Sequence, residues 1–352
     1  MIEQRLSKIR DFLKKNKTDA ILIKSAANVR YLSGFTGDSC YLLITLKNNY
    51  FLGDFRYILQ ANNQLGQIFK IIKLRVSFIS SIRKIIRKEK IIKLNFESAQ
   101  FTFAQYQQMS SGLKNLPKFK LIPLKNIVEK LREIKSDAEI EIIRKTQSIT
   151  KKSVAQIKSF IKIGRTELQI KQKLEQILIT NGSEGFAFDI IVASGPNTAM
   201  PHAQSTQRKI RPNEPIIIDA GIIFQGYRSD LTRTFFSGKI TQYTKYKKYY
   251  KLVATAQDRA IKLIRPNVMI SKIDQAARSV FKQARLNQYF GHALGHGIGL
   301  EIHETPSISQ KNKQRLVPGM IFTIEPGLYI PNFGGIRIED VVLVTKKGCE
   351  II

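Results

Sequence analysis

The stretch IFTIEPGLYIPNFGGIRIED, residues 321–340, constrains this chain most tightly, because it sets Glu325 and Glu339 within apolar runs that predict buried strands. A carboxylate taken out of water without a partner shifts its pKa and neutralises, so acids placed there demand something cationic beside them. The same pattern occurs earlier in the chain. Asp219-Ala-Gly221 is followed by Gly226-Tyr-Arg228-Ser-Asp230, and Glu325-Pro-Gly327 by Gly335-Ile-Arg337-Ile-Glu339. Both read acid-x-Gly, a glycine-containing turn, then Gly-x-Arg-x-acid. The echo predicts two strand hairpins, each carrying two carboxylates on neighbouring strands, so that four acids converge on one point. Arg228 and Arg337 are one possible set of partners, as buried acid–arginine pairs.

The histidines point to a second kind of partner. The chain has four: His202 in PHA, and His292, His296 and His303 in GHALGHGIGLEIHE. Three of them fall within twelve positions, among glycines 291, 295, 297 and 299, which are expected to let backbone approach closely rather than to fill a core. Carboxylates with one or two imidazoles, and no thiolate, are hard-to-borderline ligands suited to Mn²⁺, Co²⁺, Fe²⁺ or Zn²⁺. Four acids and a histidine suffice for two metal ions with two bridging acids, an arrangement that activates a water and stabilises the oxyanion formed on attack at a carbonyl. Hydrolysis of an amide or ester is the natural reaction class.

Composition narrows the partners. The chain carries 58 Lys+Arg against 27 Asp+Glu, a net charge of +31, which raises the question of nucleic acid. The excess is spread evenly: residues 1–126 hold 23 basic and 7 acidic side chains, and residues 127–352 hold 35 and 20. The densest basic stretch, SIRKIIRKEKIIK (81–93), alternates with isoleucine and reads as one apolar and one solvated face. This argues against nucleic acid as the main partner. Two cysteines, Cys40 and Cys349, without a CxxC pattern, make a disulfide framework or cysteine metal site unexpected and predict a reducing, cytoplasmic setting. The first twenty residues set Ile2, Leu6, Ile9 and Leu13 on one helical face among charges, without a signal-peptide apolar region, and no run reaches the length of a membrane span. A soluble protein is expected.

With 352 residues and 43% apolar content, two domains are expected. Strand-like AILIK, CYLLITL and NYFLGDF alternate with helical patterns, predicting an α/β domain over residues 1–126. From residue 127 onward, Ser136 with Glu139 and Thr166 with Gln169 have capping-box spacing and predict the starts of two long amphipathic helices. Strands PIIIDAG and RSDLTRTFF follow, then helices over about 243–264 and 271–286, then strands over 319–345. Helices grouped between antiparallel strand pairs indicate an α+β fold for residues 127–352.

These motifs resemble the metallopeptidase family of aminopeptidase P, prolidase and methionyl aminopeptidase. GPNTAMPHA, IIIDAGIIFQGYRSDLTRTF, FGHALGHGIGLEIHE, GMIFTIEPGLYIP and GGIRIEDVVLVT stand in the family's order and spacing, and NVRYLSGFTGDSCYLLIT with DFRYILQA is similar to the creatinase-like N-terminal domain of its proline-specific branch. The resemblance implies a pita-bread catalytic domain over 127–352 behind a creatinase-like domain over 1–126. It implies five metal ligands, Asp219, Asp230, His296, Glu325 and Glu339, with Asp230 and Glu339 bridging two divalent ions, Mn²⁺ first and Co²⁺, Zn²⁺ or Fe²⁺ as alternatives. Glu325 is implied as general base as well. His202, His292 and His303 match outer-sphere histidines that bind substrate, stabilise the tetrahedral intermediate or pass protons, and Arg337 orients the carboxylates.

The implied substrates are peptides with proline in second position, and the implied assembly is a homodimer. Dipeptidases of the family often carry arginine in an HExPR arrangement that suits a terminal carboxylate. Here the run is HETPS, with Ser307 in that place, which favours an Xaa-Pro aminopeptidase over an Xaa-Pro dipeptidase. A non-enzymatic binding protein on the same fold is the alternative from another class; such relatives generally lose ligands, and all five positions are filled here.

Overall fold

The computed structural model describes residues 1–75, 77–238 and 244–352, which divide into two compact units, Met1–Arg132 and Glu133–Ile352. The first is α/β. Strands β1 (Ala20–Ile23), β2 (Cys40–Thr45), β3 (Asn49–Gly53), β4 (Lys70–Lys73), β5 (Lys93–Glu97) and β6 (Lys120–Leu124) form one mixed sheet in the order β4-β3-β2-β1-β5-β6. Helices α1 (Ile2–Lys15), α2 (Ala26–Ser33), α3 (Phe55–Leu65), α4 (Phe78–Glu89), α5 (Phe103–Leu113) and α6 (Ile127–Arg132) accompany it. The unit ends six residues later than the sequence reading puts the boundary. Helix α6 is tied to α2: Tyr31 Oη donates to Leu131 O (3.1 Å), Asn28 Nδ2 to Glu129 (2.8 Å), and Arg132 to Asn28 Oδ1 (2.7 Å).

The second unit is α+β and built as two similar layers. In one, α7 (Asp137–Ile157) and α8 (Glu167–Thr180) cover a sheet of β8 (Ile191–Ser194), β9 (Pro215–Ala220) and β12 (Leu231–Phe236), ordered β12-β9-β8. Both helices start with the expected capping boxes, Ser136 with Glu139 and Thr166 with Gln169. In the other, α9 (Thr244–Lys262) and α10 (Ile270–Gln283) cover a sheet ordered β14-β13-β15-β18-β19. Its strands are β13 (Gly295–Gly297), β14 (Glu304–Ile308), β15 (Ile321–Ile324), β18 (Asp340–Val344) and β19 (Cys349–Ile351). Two small hairpins carry the echoed turns: β10 (Ile222–Phe224) with β11 (Tyr227–Arg228), which also takes in β7 (Gly185–Phe186), and β16 (Gly327–Ile330) with β17 (Gly334–Arg337). Among the described residues no helix is long and apolar enough to cross a membrane.

Strand alternation decides where the acids go. In β9, Ile216, Ile218 and Ala220 join the cluster formed by Ile149, Val154 and Ile157 of α7 and Ile170, Leu174 and Leu178 of α8. Asp219 therefore lies on the opposite side of its sheet. In the second layer, Phe322 and Ile324 of β15 and Val342 and Val344 of β18 pack with Val253, Ala256, Ile273 and Ala277 of α9 and α10, which sends Thr323 and Glu325 the other way. Each buried Ile, Val or Phe adds about 1.5–3 kcal/mol for fixing that face inward, so a one-residue slip of register is prohibitive.

The strand expected over RSDLTRTFF is shorter than its apolar pattern. The β9–β12 ladder begins at Leu231, opposite Ala220. Ser229 is diverted: its hydroxyl accepts from Ile222 N (2.9 Å) and lies 2.6 Å from Thr150 Oγ1, fixing the corner that presents Asp230.

Candidate metal centre

The acids meet on the helix-free faces. Asp219 sits opposite Thr232 in the β9–β12 pair, Asp230 lies two residues before Thr232, and Glu339 stands one step beyond the Ile324–Asp340 pair of β15 and β18. Glu339 N donates to Thr232 O (3.1 Å), joining the two layers at this point, and Thr232 Oγ1 donates to Glu339 Oε2 (2.8 Å). His296 arrives on β13, with its backbone N–H on Thr323 Oγ1 (3.1 Å). That approach needs glycine beside it: a Cβ on Gly295 would stand 1.9 Å from Thr323 O. Gly297 and Gly299 are also closely approached, whereas a Cβ on Gly291 would meet nothing within 4 Å, so close packing accounts for three of the four glycines.

Asp230, His296 and Glu339 each direct one ligand atom into a common point, all within 4.8 Å of one another. Glu325 joins through His296 Nε2, 3.5 Å from its Oε1, the same distance that separates Nε2 from Asp230 Oδ2. His296 Nδ1 faces the carbonyl of Gly297 (3.1 Å), which can only accept, so the proton sits on Nδ1 and the Nε2 lone pair faces the acids. Burial, with His303 close by, lowers the His296 pKa to about 4; these contacts are between carboxyl groups and a neutral imidazole, not ion pairs.

Three of the carboxyls are held well above their usual range. Burial, then repulsion from Glu339 and Asp219, raises Asp230; burial, then Glu325 and Asp219, raises Glu339; and burial raises Glu325 to about 8. Among the described residues one arginine serves the cluster, buried and with four of its five N–H donors engaged. Arg337 gives Nη2 to Asp219 Oδ2 (2.7 Å), Nη1 to Tyr329 Oη (2.9 Å) and Pro201 O (3.1 Å), and Nε to Thr232 Oγ1 (3.1 Å). Asp219 Oδ1 is buried with no hydrogen-bond partner among the described residues. An orphaned carboxylate oxygen, three acids with raised pKa values and a neutral imidazole aimed at them fit a divalent cation, which would supply the missing positive charge.

Around this centre opens a cavity of about 800 Å³. Phe188, Ile191, Pro201, Ala203 and Ile302 give it apolar walls, and His202, His292 and His303 all line it, so the eight residues singled out in the sequence as ligands or outer histidines share one cavity. The rings of His296 and His303 are 4.3 Å apart at 79°. His292 Nδ1 faces Ala293 O (2.7 Å), leaving Nε2 to accept from Tyr329 Oη (3.0 Å), so Arg337, Tyr329 and His292 form one donor chain. Ser307 lies opposite His296 across β13 and β14, on the same face, and also lines the cavity. Arg228, the echo's other arginine, does not line it; its backbone N donates to Gly299 O (2.8 Å).

Sequence reasoning passed over Tyr329, Thr232 and Thr323. Tyr329 had a signal, as the lone aromatic in an aliphatic hairpin strand two residues after Gly327. The threonines had a weaker one, since each lies two residues from an acid and so shares its face of an extended strand.

The description of metallopeptidase family M24 matches residues 141–346, and that of the creatinase/prolidase N-terminal domain matches residues 5–134. The chain belongs to metallopeptidase family M24. An Xaa-Pro dipeptidase of Pyrococcus horikoshii is 34% identical over 353 residues, covering 99% of this chain and 97% of the relative. Among solved structures, an Xaa-Pro dipeptidase from Bacillus anthracis superposes with a TM-score of 0.94 at 34% identity, covering 100% of this chain and 97% of that one. An X-Pro aminopeptidase from Thermotoga maritima gives 0.86 at 33% identity and 95% coverage of both. An M24 metallopeptidase with a creatinase-type first domain is thus established, and with it the use of divalent metal.

Proposed function

We propose that the protein is a metal-dependent Xaa-Pro aminopeptidase, releasing the first residue from peptides with proline in second position. The observation that carries the chemistry is the buried convergence of Asp230, His296, Glu325 and Glu339 beside Asp219, whose buried Oδ1 lacks a donor, in an apolar-walled cavity. Asp219, Asp230, His296, Glu325 and Glu339 would hold two divalent ions, Mn²⁺ by preference for an oxygen-rich set, with Asp230 and Glu339 shared. Bound there, the ions supply Lewis acidity that lowers the pKa of a water and offsets charge developing on a carbonyl oxygen.

The chain's own residues do the rest. Glu325, the acid nearest the His296 nitrogen besides Asp230, takes the proton of the attacking water and passes it toward the proline nitrogen as the Xaa–Pro bond breaks. His202 and His303, exposed on the cavity wall, meet the substrate; His292, neutral because burial lowers it to about 4, accepts from Tyr329 and completes the line from Arg337. Arg337 fixes Asp219 and the carbonyl of Pro201, so one side chain registers the metal site against the His202 loop.

Preference for longer peptides rests on charge. Among the described residues lining the cavity, Arg337 is the sole arginine or lysine, and four of its five N–H donors are already used, with its charge paired to Asp219. A dipeptide ends in a carboxylate just after proline and needs a cation; a longer peptide has an amide there. Ser307 offers a hydroxyl in that neighbourhood. The second reading, an Xaa-Pro dipeptidase, is favoured by the naming of the Pyrococcus and Bacillus relatives. We further propose a cytoplasmic homodimer; the two cysteines, both unpaired, suit a reducing compartment. The enzyme purified with Mn²⁺ is expected to release the first residue of an Xaa-Pro-Yaa peptide and to stop on chelation. Activity that survives Glu339→Ala would refute the two-metal site.

A further inference from the structure

We infer that Glu167 is the positioning residue that sets His202 in the cavity; the inference rests on His202 meeting the substrate, as proposed above. Glu167 is fully buried, and its carboxylate gathers donors from both ends of the segment that carries His202. At the entrance, Ser194 gives Oε1 its backbone N–H (2.7 Å) and its hydroxyl (2.8 Å), and Asn197 Nδ2 reaches both oxygens (3.1 and 3.3 Å). At the exit, Thr206 gives Oε2 its backbone N–H (2.9 Å) and its hydroxyl (2.7 Å). The carboxylate thus ties residue 194 to residue 206 and closes the loop between them. Arg208 fastens the same stem, donating to Ser194 Oγ (2.6 Å) while paired with Glu214.

The crown of the loop is seated on the acid-bearing hairpin. Thr198 Oγ1 accepts from Gly335 N (2.7 Å), and Pro201 O accepts from Arg337 (3.1 Å). Gly335 permits this contact, since a Cβ there would stand 2.1 Å from Thr198 O. Held at stem and crown, the loop offers His202 to the cavity at one height.

A plain helix-capping role does not account for Glu167. The start of α8 is already satisfied by Thr166 and Gln169, whose side chains exchange hydrogen bonds with each other's backbone N–H (3.0 and 3.1 Å). The donors to Glu167 come from the loop. A buried carboxylate adds little stability over an apolar side chain of similar size, so its value lies in the single geometry it imposes on five donors. An amide at this place turns its N–H₂ toward the backbone N–H of Ser194 or of Thr206, which can only donate, and one end of the loop is released.

The test is a double-mutant cycle on the manganese-loaded enzyme with an Xaa-Pro-Yaa peptide, using Glu167→Gln, His202→Ala and the pair. Glu167→Gln is expected to lower kcat/KM roughly tenfold to hundredfold with bound manganese unchanged, and by less than about twofold when His202 is already alanine. Asn197→Ala, which removes a donor from the loop alone, is expected to follow the same pattern with a smaller loss and covers the case in which Glu167→Gln does not fold. Losses that multiply in the double variant, or full activity in Glu167→Gln and Asn197→Ala while His202→Ala is impaired, would overturn the inference. A His202→Ala enzyme with full activity would overturn the reading of His202 and this inference with it.

Discussion

Stripping the metal should make the protein less stable as the pH rises, against the ordinary trend for carboxylates held in ion pairs. Glu325 has a folded pKa of about 8 against 4.5 for an exposed glutamate, because burial disfavours its charge. A raised folded pKa means that the folded state binds the proton more tightly than the unfolded one. The stabilisation is then complete below about pH 4.5 and lost as the pH passes through about 8. At about 1.4 kcal/mol per unit, Glu325 alone costs the metal-free fold on the order of 5 kcal/mol across that window, a large share of a typical total. Asp230 and Glu339 are shifted in the same direction and add to the slope. Bound metal replaces the protons and should remove the slope, with protons released on binding. The assay is denaturant unfolding of chelator-stripped protein from pH 5 to 9, with and without Mn²⁺, beside Glu325→Gln. The expected result is a decline with pH in the stripped parent, flattened both by Mn²⁺ and by Glu325→Gln, the variant being more stable than the parent at pH 8. A stripped parent whose stability is level or rises over that range would refute the reasoning.

Other expectations follow from single contacts. Thr232→Val keeps the shape of the side chain but removes the hydroxyl shared by Glu339 and Arg337, and should weaken Mn²⁺ binding by about 10- to 100-fold in a metal titration. Gly295→Ala forces β13 away from Thr323 O and should cost about 3 kcal/mol in denaturant unfolding; a neutral result would contradict the close approach. Ser307→Arg adds a cation on the face of His296 and should raise the rate on Xaa-Pro dipeptides relative to Xaa-Pro-Yaa by roughly tenfold; an unchanged ratio would show that position 307 does not meet the carboxyl end.

Much of this was legible before folding. The capping boxes at Ser136 and Thr166 start their helices where expected, because both ends of that hydrogen-bond exchange lie within four residues of sequence. The four acids were visible because an acid within an apolar strand is a local contradiction, and the echo between hairpins corresponds to two layers, each a sheet under two helices. What escaped depends on distant partners. Helix α6 looks like the opening of the second half by pattern, and its bonds to Asn28 and Tyr31, about a hundred residues away, assign it to the first unit. Arg228 and Arg337 are equivalent in sequence, yet only Arg337 lines the cavity, because β17 runs beside β9 and Asp219. Glu167 reads as an ordinary acid in a first helical turn, and nothing within its own helix reveals the loop it closes.

The central claim is tested most directly by offering the manganese-loaded enzyme an Xaa-Pro dipeptide and the matching Xaa-Pro-Yaa peptide and following release of the first residue from each. The expected result is faster cleavage of the longer peptide, abolished by chelator and restored by Mn²⁺. Faster cleavage of the dipeptide would overturn the aminopeptidase reading in favour of a dipeptidase, and cleavage of neither with metal bound would contradict the account of the site.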